Sequence, residues 1–334
     1  MPNAIIRGTG SYLPSRRVSN REVESWTFTS SKGEEYHVTA EEIVEKTGIL
    51  ERRYSQGETM SDMAAEAGKQ AISSANIHPD DIDLVLLATS TPDYRIPKSA
   101  PYVAHKIGLH TVPAYDFGKD CTGWIEALEA ASYYIRAGRY QNILIIGADR
   151  CSSFINPKQK GTALLFGDGA GAAVLTATEA PNRGFLSAVA GGDGEQFSQM
   201  YIPLGGSSSP YVPDHAPGQE LLVMNGNAMA KYGRQIFAVG VERALSQQQL
   251  VPENLDLLIP HQASKRVIEA AVKALDLPMS KVALTLDRTG DTGAASVPIA
   301  LDHAVREGRL REGYLICLMA YGGGLAWISA LMRW

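Results

Sequence analysis

DCTGWIEALEAASYYIRAGR at residues 120–139 and GDTGAASVPIALDHAVREGR at residues 290–309 are the stretches whose comparison decides how this chain folds. In both, a Thr-Gly pair opens a segment of helical periodicity that closes on Gly-Arg. Cys121 stands 18 residues before Arg139, and Asp291 stands 18 residues before Arg309. The two residues therefore hold equivalent places in two copies of one unit. The likeness extends outward, because Pro79-Asp-Asp-Ile-Asp-Leu-Val-Leu-Leu matches Pro252-Glu-Asn-Leu-Asp-Leu-Leu-Ile. Self-similarity at so long a period signals a duplicated domain rather than a solenoid. The boundary falls where residues 176–184 lose apolar periodicity, giving an N-terminal half, 1–178, that carries Cys121 and a C-terminal half, 179–334, that carries His261 and Asp291. Equivalent turns of two pseudo-symmetric halves meet around the local axis, which predicts one active site fed by both.

Around these units lie continuous apolar runs: Asp83–Ala88, Asn142–Gly147 and Leu315–Met319. Runs of this length without alternation suit strands covered on both faces. Helical patterns separate them, at Trp124–Ala137 and Ser264–Leu275. Strands alternating with helices give a layered α/β fold. The 334 residues are 45% hydrophobic and 20% charged, the composition of a globular protein with a sizeable core. A net charge of -5 gives no basic footprint for nucleic acid. No apolar run is long enough to span a bilayer, and the first residues lack a signal core, so the expected location is the cytoplasm. The three cysteines, Cys121, Cys151 and Cys317, form neither a disulfide framework nor a zinc-ligand spacing, and no metal site is expected.

Cys121 opens a helix. The helix dipole there favours thiolate, and Lys119 adds to that field. Thiolate is the nucleophile of thioester exchange; the alternative for a lone cysteine is a small buried core residue. His261 follows the strand Leu257–Pro260, at the carboxyl end where open α/β sheets place their sites; a hydrogen-bonded loop histidine is the other reading. Asp291 reads as a helix N-cap for the helix starting near Ala294 or, through the repeat, as a site residue. The glycines of Phe166-Gly-Asp-Gly-Ala-Gly fit neither a dinucleotide fingerprint nor a P-loop, and suit close backbone packing or an interface. Tyr321-Gly-Gly-Gly-Leu325 reads as a tight turn or as a source of backbone N–H groups for an oxyanion hole.

Six ordered segments together resemble the ketoacyl-ACP synthase III family of the thiolase superfamily over nearly the whole chain. They are Lys46-Thr-Gly-Ile-Leu-Glu-Arg-Arg, Asp120-Cys-Thr-Gly-Trp, Gly161-Thr-Ala-Leu-Leu-Phe-Gly-Asp-Gly-Ala-Gly-Ala, Pro260-His-Gln-Ala-Ser, Asp287-Arg-Thr-Gly-Asp-Thr-Gly-Ala-Ala-Ser-Val-Pro and Gly322-Gly-Gly. The resemblance implies a five-layered αβαβα thiolase fold, a homodimer, no resident cofactor, and a CoA or acyl carrier protein (ACP) thioester as substrate. It implies that Cys121 takes the acyl group, that the N–H groups of Cys121 and Gly323 hold the oxyanion, and that His261 helps condense the acyl group with malonyl-ACP. It also places Lys46, Lys160, Asn227, Ser264 and Arg266 on the substrate or carrier path, with Ile96 shaping the acyl pocket.

The chain departs from that family where an asparagine would stand, at Asp291. An ionised carboxylate donates no hydrogen bond and repels an enolate, whereas a protonated one donates. Loss of one oxyanion donor costs about 2.7–4 kcal/mol of barrier. A carboxylate there also suits a Cys-His-Asp triad that passes the acyl group to an alcohol or amine. Glu42 stands where bacterial members often have a tryptophan that stacks the CoA adenine, and Lys160 where they have an arginine; neither is a like-for-like replacement. Two enzyme readings result, decarboxylative condensation and acyl transfer to oxygen or nitrogen. A non-catalytic partner subunit is the reading from another class.

Overall fold

The computed structural model describes residues 2–30, 32–180, 182–212 and 214–334. Two mixed sheets form its frame. The first has five strands in the order Asn3–Tyr12, Asp168–Thr178, Asn142–Arg150, Leu84–Ala88, Ala114–Phe117. The second has the order Gly184–Gly192, Ala326–Arg333, Leu315–Gly322, Leu257–Pro260. A parallel bridge from Leu258 to Val282 stands beyond its last strand, in the place of the first sheet's fifth strand. The strand order and the sense of each pairing repeat from one sheet to the other. The first sheet's last strand ends at Thr178 and the second sheet's first begins at Gly184, and we propose that the halves divide between them.

The apolar runs are double-sided, as their composition predicts. Leu84, Leu86 and Ala88 point into a core shared by both sheets, while Val85 and Leu87 point into an outer core. In the second sheet Ile316, Leu318 and Ala320 face the shared core and Leu315, Cys317 and Met319 face away. Between the sheets run the two repeat helices, Gly123–Arg136 and Ser296–Arg306. Trp124, Leu128 and Ile135 from one, and Val297, Leu301 and Ala304 from the other, fill the shared core. Met60–Ala75 and Ala100–Ile107 cover one outside face, and Gly226–Ser246 and Lys265–Ala274 cover the other. Five layers result. Each fully buried Leu or Ile contributes roughly 1.5–3 kcal/mol, so the central layer is held from both sides.

The Gly-Arg pairs that close both repeats do the same job. Gly138 and Gly308 take φ of +70° and +67°. Arg139 N–H then donates to Tyr134 carbonyl and Arg309 N–H to Ala304 carbonyl, both at 3.0 Å. A left-handed glycine followed by such a back-reaching bond is a standard helix terminator. The glycines after Phe166 serve packing, one of the two roles read for them. A Cβ on Gly167 would lie 2.2 Å from the Thr289 carbonyl oxygen, and one on Gly171 would lie 2.7 Å from the Ile299 nitrogen.

Among the described residues no helix is long and apolar enough to cross a membrane. The contact between the first sheet and the second half's turn gives a test. A Cβ on Gly147 would lie 2.3 Å from the Ala294 carbonyl oxygen, whereas Gly118 has open space. Gly147→Ala should lose about 3 kcal/mol of stability by overpacking, and Gly118→Ala less than about 1 kcal/mol, measured by urea denaturation. Equal, small losses would mean the two elements are not in contact.

Candidate active site

Three chain segments converge on one cavity of about 180 Å³. Cys121 comes from the turn before the helix Gly123–Arg136, His261 from the end of the strand Leu257–Pro260, and Asp291 from the second repeat's turn. All three are buried, with exposures of 4%, 2% and 4%. The structure thus brings together the equivalent turns of the two halves with a histidine beside them.

His261 is fixed on every side. Its backbone N–H donates to the Met319 carbonyl at 2.7 Å. Its neighbour Gln262 is fully buried, and its side chain donates to the carbonyls of Pro260 and Ala283 and accepts from the amides of Thr285 and Leu286. The His261 ring meets Tyr321 edge-on at 5.8 Å. Its Nδ1 lies 3.0 Å from Ser296 Oγ, and its Nε2 lies 3.5 Å from Asp291 Oδ2. Asp291 is pinned by its backbone: its N–H donates to Leu165 carbonyl and its carbonyl accepts from Gly167 N–H, both at 2.8 Å. Its Oδ1 accepts from Gly293 N–H at 3.0 Å, so it caps its own turn as well as facing the cavity. Buried Asp149 reaches across from the first half, accepting Ala294 N–H at 2.8 Å. Gly293, at φ +57°, must lack a side chain because a Cβ would lie 2.3 Å from Asp149 Oδ2.

The thiol is not poised as thiolate. Burial first, then the carboxylates of Asp291, Asp120 and Asp149, push Cys121 well above the usual thiol range. This corrects the expectation drawn from the helix dipole. Desolvation of a charge in a closed site outweighs a dipole end. Lys119, expected to help, lies 3.5 Å from Glu126 and does not line the cavity.

The glycine turn sits against the thiol. A Cβ on Gly322 would lie 2.9 Å from Cys121 Sγ, and one on Gly323 would lie 2.4 Å from Asp120 Oδ2. Among the described residues, neither the Cys121 nor the Gly323 N–H donates a hydrogen bond to another backbone group. Cys121 and Gly322 line the cavity, whereas Gly323 does not.

Other expected site residues are scattered. Lys46 and Ser264 line the cavity. Lys46 is paired with Glu42, one turn earlier on the helix Ala40–Thr47. Arg266 lies outside the lining and bonds Glu45 at 3.0 Å. Lys160 sits over the Tyr36 ring, 5.3 Å from its centroid. Asn227 is exposed on the first turn of the helix Gly226–Ser246. Ile96 is 88% exposed and does not line this chain's cavity, against the expectation that it shapes the acyl pocket. The apolar wall is instead Leu165, Phe166, Met200, Met224, Met229 and Val267. Sequence reasoning missed the methionines and Ser296; only Ser296 carried a signal, as part of the Asp287–Pro298 motif. No group of three or more His, Cys, Asp or Glu able to hold a metal occurs among the described residues.

Two family models match the chain, described as 3-oxoacyl-[acyl-carrier-protein (ACP)] synthase III at residues 115–194 and the C-terminal part of the same enzyme at residues 245–334. The β-ketoacyl-[acyl-carrier-protein] synthase III of Caldanaerobacter subterraneus is 39% identical over 331 residues, covering 98% of this chain and 97% of that protein. The crystal structure of 3-oxoacyl-[acyl-carrier-protein] synthase III from Aquifex aeolicus superimposes with a TM-score of 0.88 at 34% identity, covering all of both chains. A priming β-ketosynthase from a polyketide biosynthetic pathway superimposes with a TM-score of 0.90 at 30% identity, over 99% of this chain and 96% of that one.

The thiol's surroundings give a test. Cys121 should alkylate with iodoacetamide more slowly than a free thiol at pH 8, and its rate should keep rising above the pH where a free thiol levels off. Asp291→Asn removes the nearest-acting carboxylate and should speed alkylation at fixed pH, about tenfold for each pKa unit relieved. A fast wild-type rate that levels off near the ordinary thiol range would refute the account.

Proposed function

The chain belongs to the 3-oxoacyl-[acyl-carrier-protein] synthase III family of the thiolase superfamily, and we propose that Cys121, His261 and Asp291 carry out its reaction. It is an acyl-transferring condensing enzyme. In the first half-reaction the Cys121 sulfur attacks the carbonyl of an acyl-CoA or acyl-ACP thioester. A new C–S bond forms, the old one breaks, and the proton from Cys121 ends on the departing thiol. The N–H groups of Cys121 and Gly323 hold the transient oxyanion. In the second half-reaction malonyl-ACP loses CO2, and the resulting enolate carbon attacks the acyl-Cys121 carbonyl. A C–C bond forms, the C–S bond breaks, and the Cys121 thiolate takes up one proton from water, the net proton that the condensation consumes. His261 Nε2–H donates to the malonyl thioester oxygen, where enolate charge gathers. All of these groups belong to the chain or the substrate, so the scheme asks for no resident cofactor.

The observation that carries this reading is which histidine nitrogen meets which partner. In a nucleophile–base–acid triad the acid holds the far nitrogen and leaves Nε2 bare for the proton. Here Ser296 holds Nδ1, and Asp291 lies at Nε2, facing the cavity. That arrangement favours a hydrogen-bonding pair at one oxygen over a Cys-His-Asp base relay for alcohols or amines. A protonated Asp291 would donate beside Nε2–H; an ionised one would oppose the enolate.

For the donor, we propose a phosphopantetheine thioester entering past Lys46 and Ser264. Three cations near this entrance, Lys46, Lys265 and Arg266, each pair with a carboxylate of the same chain, which reduces the positive charge they offer to the phosphates of free CoA. A carrier-bound donor is therefore the better fit. For assembly, we propose a homodimer. Ala114–Phe117 is an edge strand, and the segment over it is tied on by Ser99 and Ala100 amides donating to Asp116. Exposed Tyr94, Ile96 and Tyr115 lie on these two pieces. A second copy on this edge would cover them and bring Ile96 toward a cavity it does not reach in its own chain.

Intact-protein mass spectrometry after incubation with acyl-CoA and acyl-ACP should give an adduct that Cys121→Ala abolishes. Malonyl-ACP should discharge it to a 3-oxoacyl product. Asp291→Asn should raise malonyl-ACP decarboxylation about tenfold by supplying a permanent donor. An adduct that persists with malonyl-ACP but discharges to an alcohol or amine would overturn condensation.

A further inference from the structure

Ser296 stands at the first position of the helix Ser296–Arg306 and is 1% exposed. Its hydroxyl has two partners among the described residues. It accepts the Gln262 backbone N–H at 2.7 Å, and it lies 3.0 Å from His261 Nδ1. A hydroxyl has one hydrogen to give. The Gln262 amide is a donor and cannot take it. Nδ1 is the acceptor that remains, and a nitrogen that accepts carries no hydrogen. We propose that Ser296 is a positioning residue that fixes His261 as the tautomer with its proton on Nε2, making the ring an obligate donor toward the cavity.

The geometry resists the other tautomer. With the proton on Nδ1, the ring would donate to Ser296 and the serine hydrogen would be stranded in the core. A buried donor left without a partner is costly. Rotating the serine away would instead strand the Gln262 amide. That amide cannot follow, because the Gln262 side chain is tied to Pro260, Ala283, Thr285 and Leu286. The proton position is thus set by a backbone amide, acting through one hydroxyl.

The catalytic consequence rests on the condensation reading above; the tautomer does not. The test uses the full chain labelled with 15N. Long-range 1H–15N spectra read the His261 ring at neutral pH, assigned by difference from His261→Gln. Malonyl-ACP decarboxylation and acyl-adduct formation on Cys121 are measured in parallel. Wild type should show a bare Nδ1 and a protonated Nε2. Ser296→Ala should give a mixture of tautomers and lower decarboxylation about tenfold, while adduct formation changes less than about threefold. Ser296→Thr, which keeps the hydroxyl, should restore the wild-type ring spectrum. A wild-type ring protonated on Nδ1 overturns the proposal, even if no variant folds. So does a Ser296→Ala protein whose ring spectrum is unchanged, whatever its activity. A tautomer shift as expected, in a protein that does not decarboxylate malonyl-ACP in any form, would uphold the role of Ser296 and sink the condensation reading.

Discussion

The turn that carries Asp291 is pinned between the two halves, and the active site depends on that pinning. Its backbone is stitched on one side to Leu165 and Gly167 of the first half. On the other side Asp149, at the end of a first-half strand, takes the Ala294 amide. Asp149 is fully buried and also accepts from Thr89, Ser90 and Thr91. A carboxylate with so many donors can adopt few positions, and the turn it grips inherits that rigidity. Gly147 and Gly293 are glycines because the halves approach too closely there for a Cβ. A shift of one half against the other would move Asp291 relative to Cys121.

The chemistry around the thiol is acidic, and this shapes what the site does. Asp291, Asp120 and Asp149 all oppose ionisation of Cys121, and burial opposes it more. Burial and these carboxylates together push the Cys121 thiol toward its neutral form. Negative charge becomes tolerable there only when something supplies hydrogen bonds for it. In the proposed reaction the N–H groups of Cys121 and Gly323 would do so at the acyl carbonyl, and His261 would do so at the malonyl thioester oxygen. Under the proposed reaction, charge would be accommodated where the reaction creates it rather than stored beforehand.

Much of this was legible in the linear sequence. The equal spacing from Cys121 to Arg139 and from Asp291 to Arg309 reports two equivalent units, each a turn followed by a helix, Gly123–Arg136 and Ser296–Arg306. Each ends on a left-handed glycine, at Gly138 and at Gly308. The uniform apolar character of Leu84–Ala88 and Leu315–Met319 reports strands with a core on each face, which requires layers on both sides. His261 was found because it follows such a strand. The exposure of Ile96 and the methionine wall were not legible, since a side chain's direction in a loop has no period to read. Neither was the direction in which the thiol is pushed: a helix dipole acts within one turn and can be inferred locally, whereas burial and the carboxylates of Asp291 and Asp149, drawn from distant segments, cannot.

The sequence by itself determined the duplicated α/β architecture, the family and the three residues that meet at the cavity, because periodicity, spacing and motif order are properties of the chain. Only the tertiary structure decided what surrounds those residues. It set Asp291 at Nε2 of His261 and Ser296 at Nδ1, surrounded Cys121 with carboxylates, and paired Arg266 with Glu45. Such outcomes depend on distances of a few ångströms between residues up to hundreds of positions apart. Desolvation and hydrogen-bond direction are set by those distances, not by residue order.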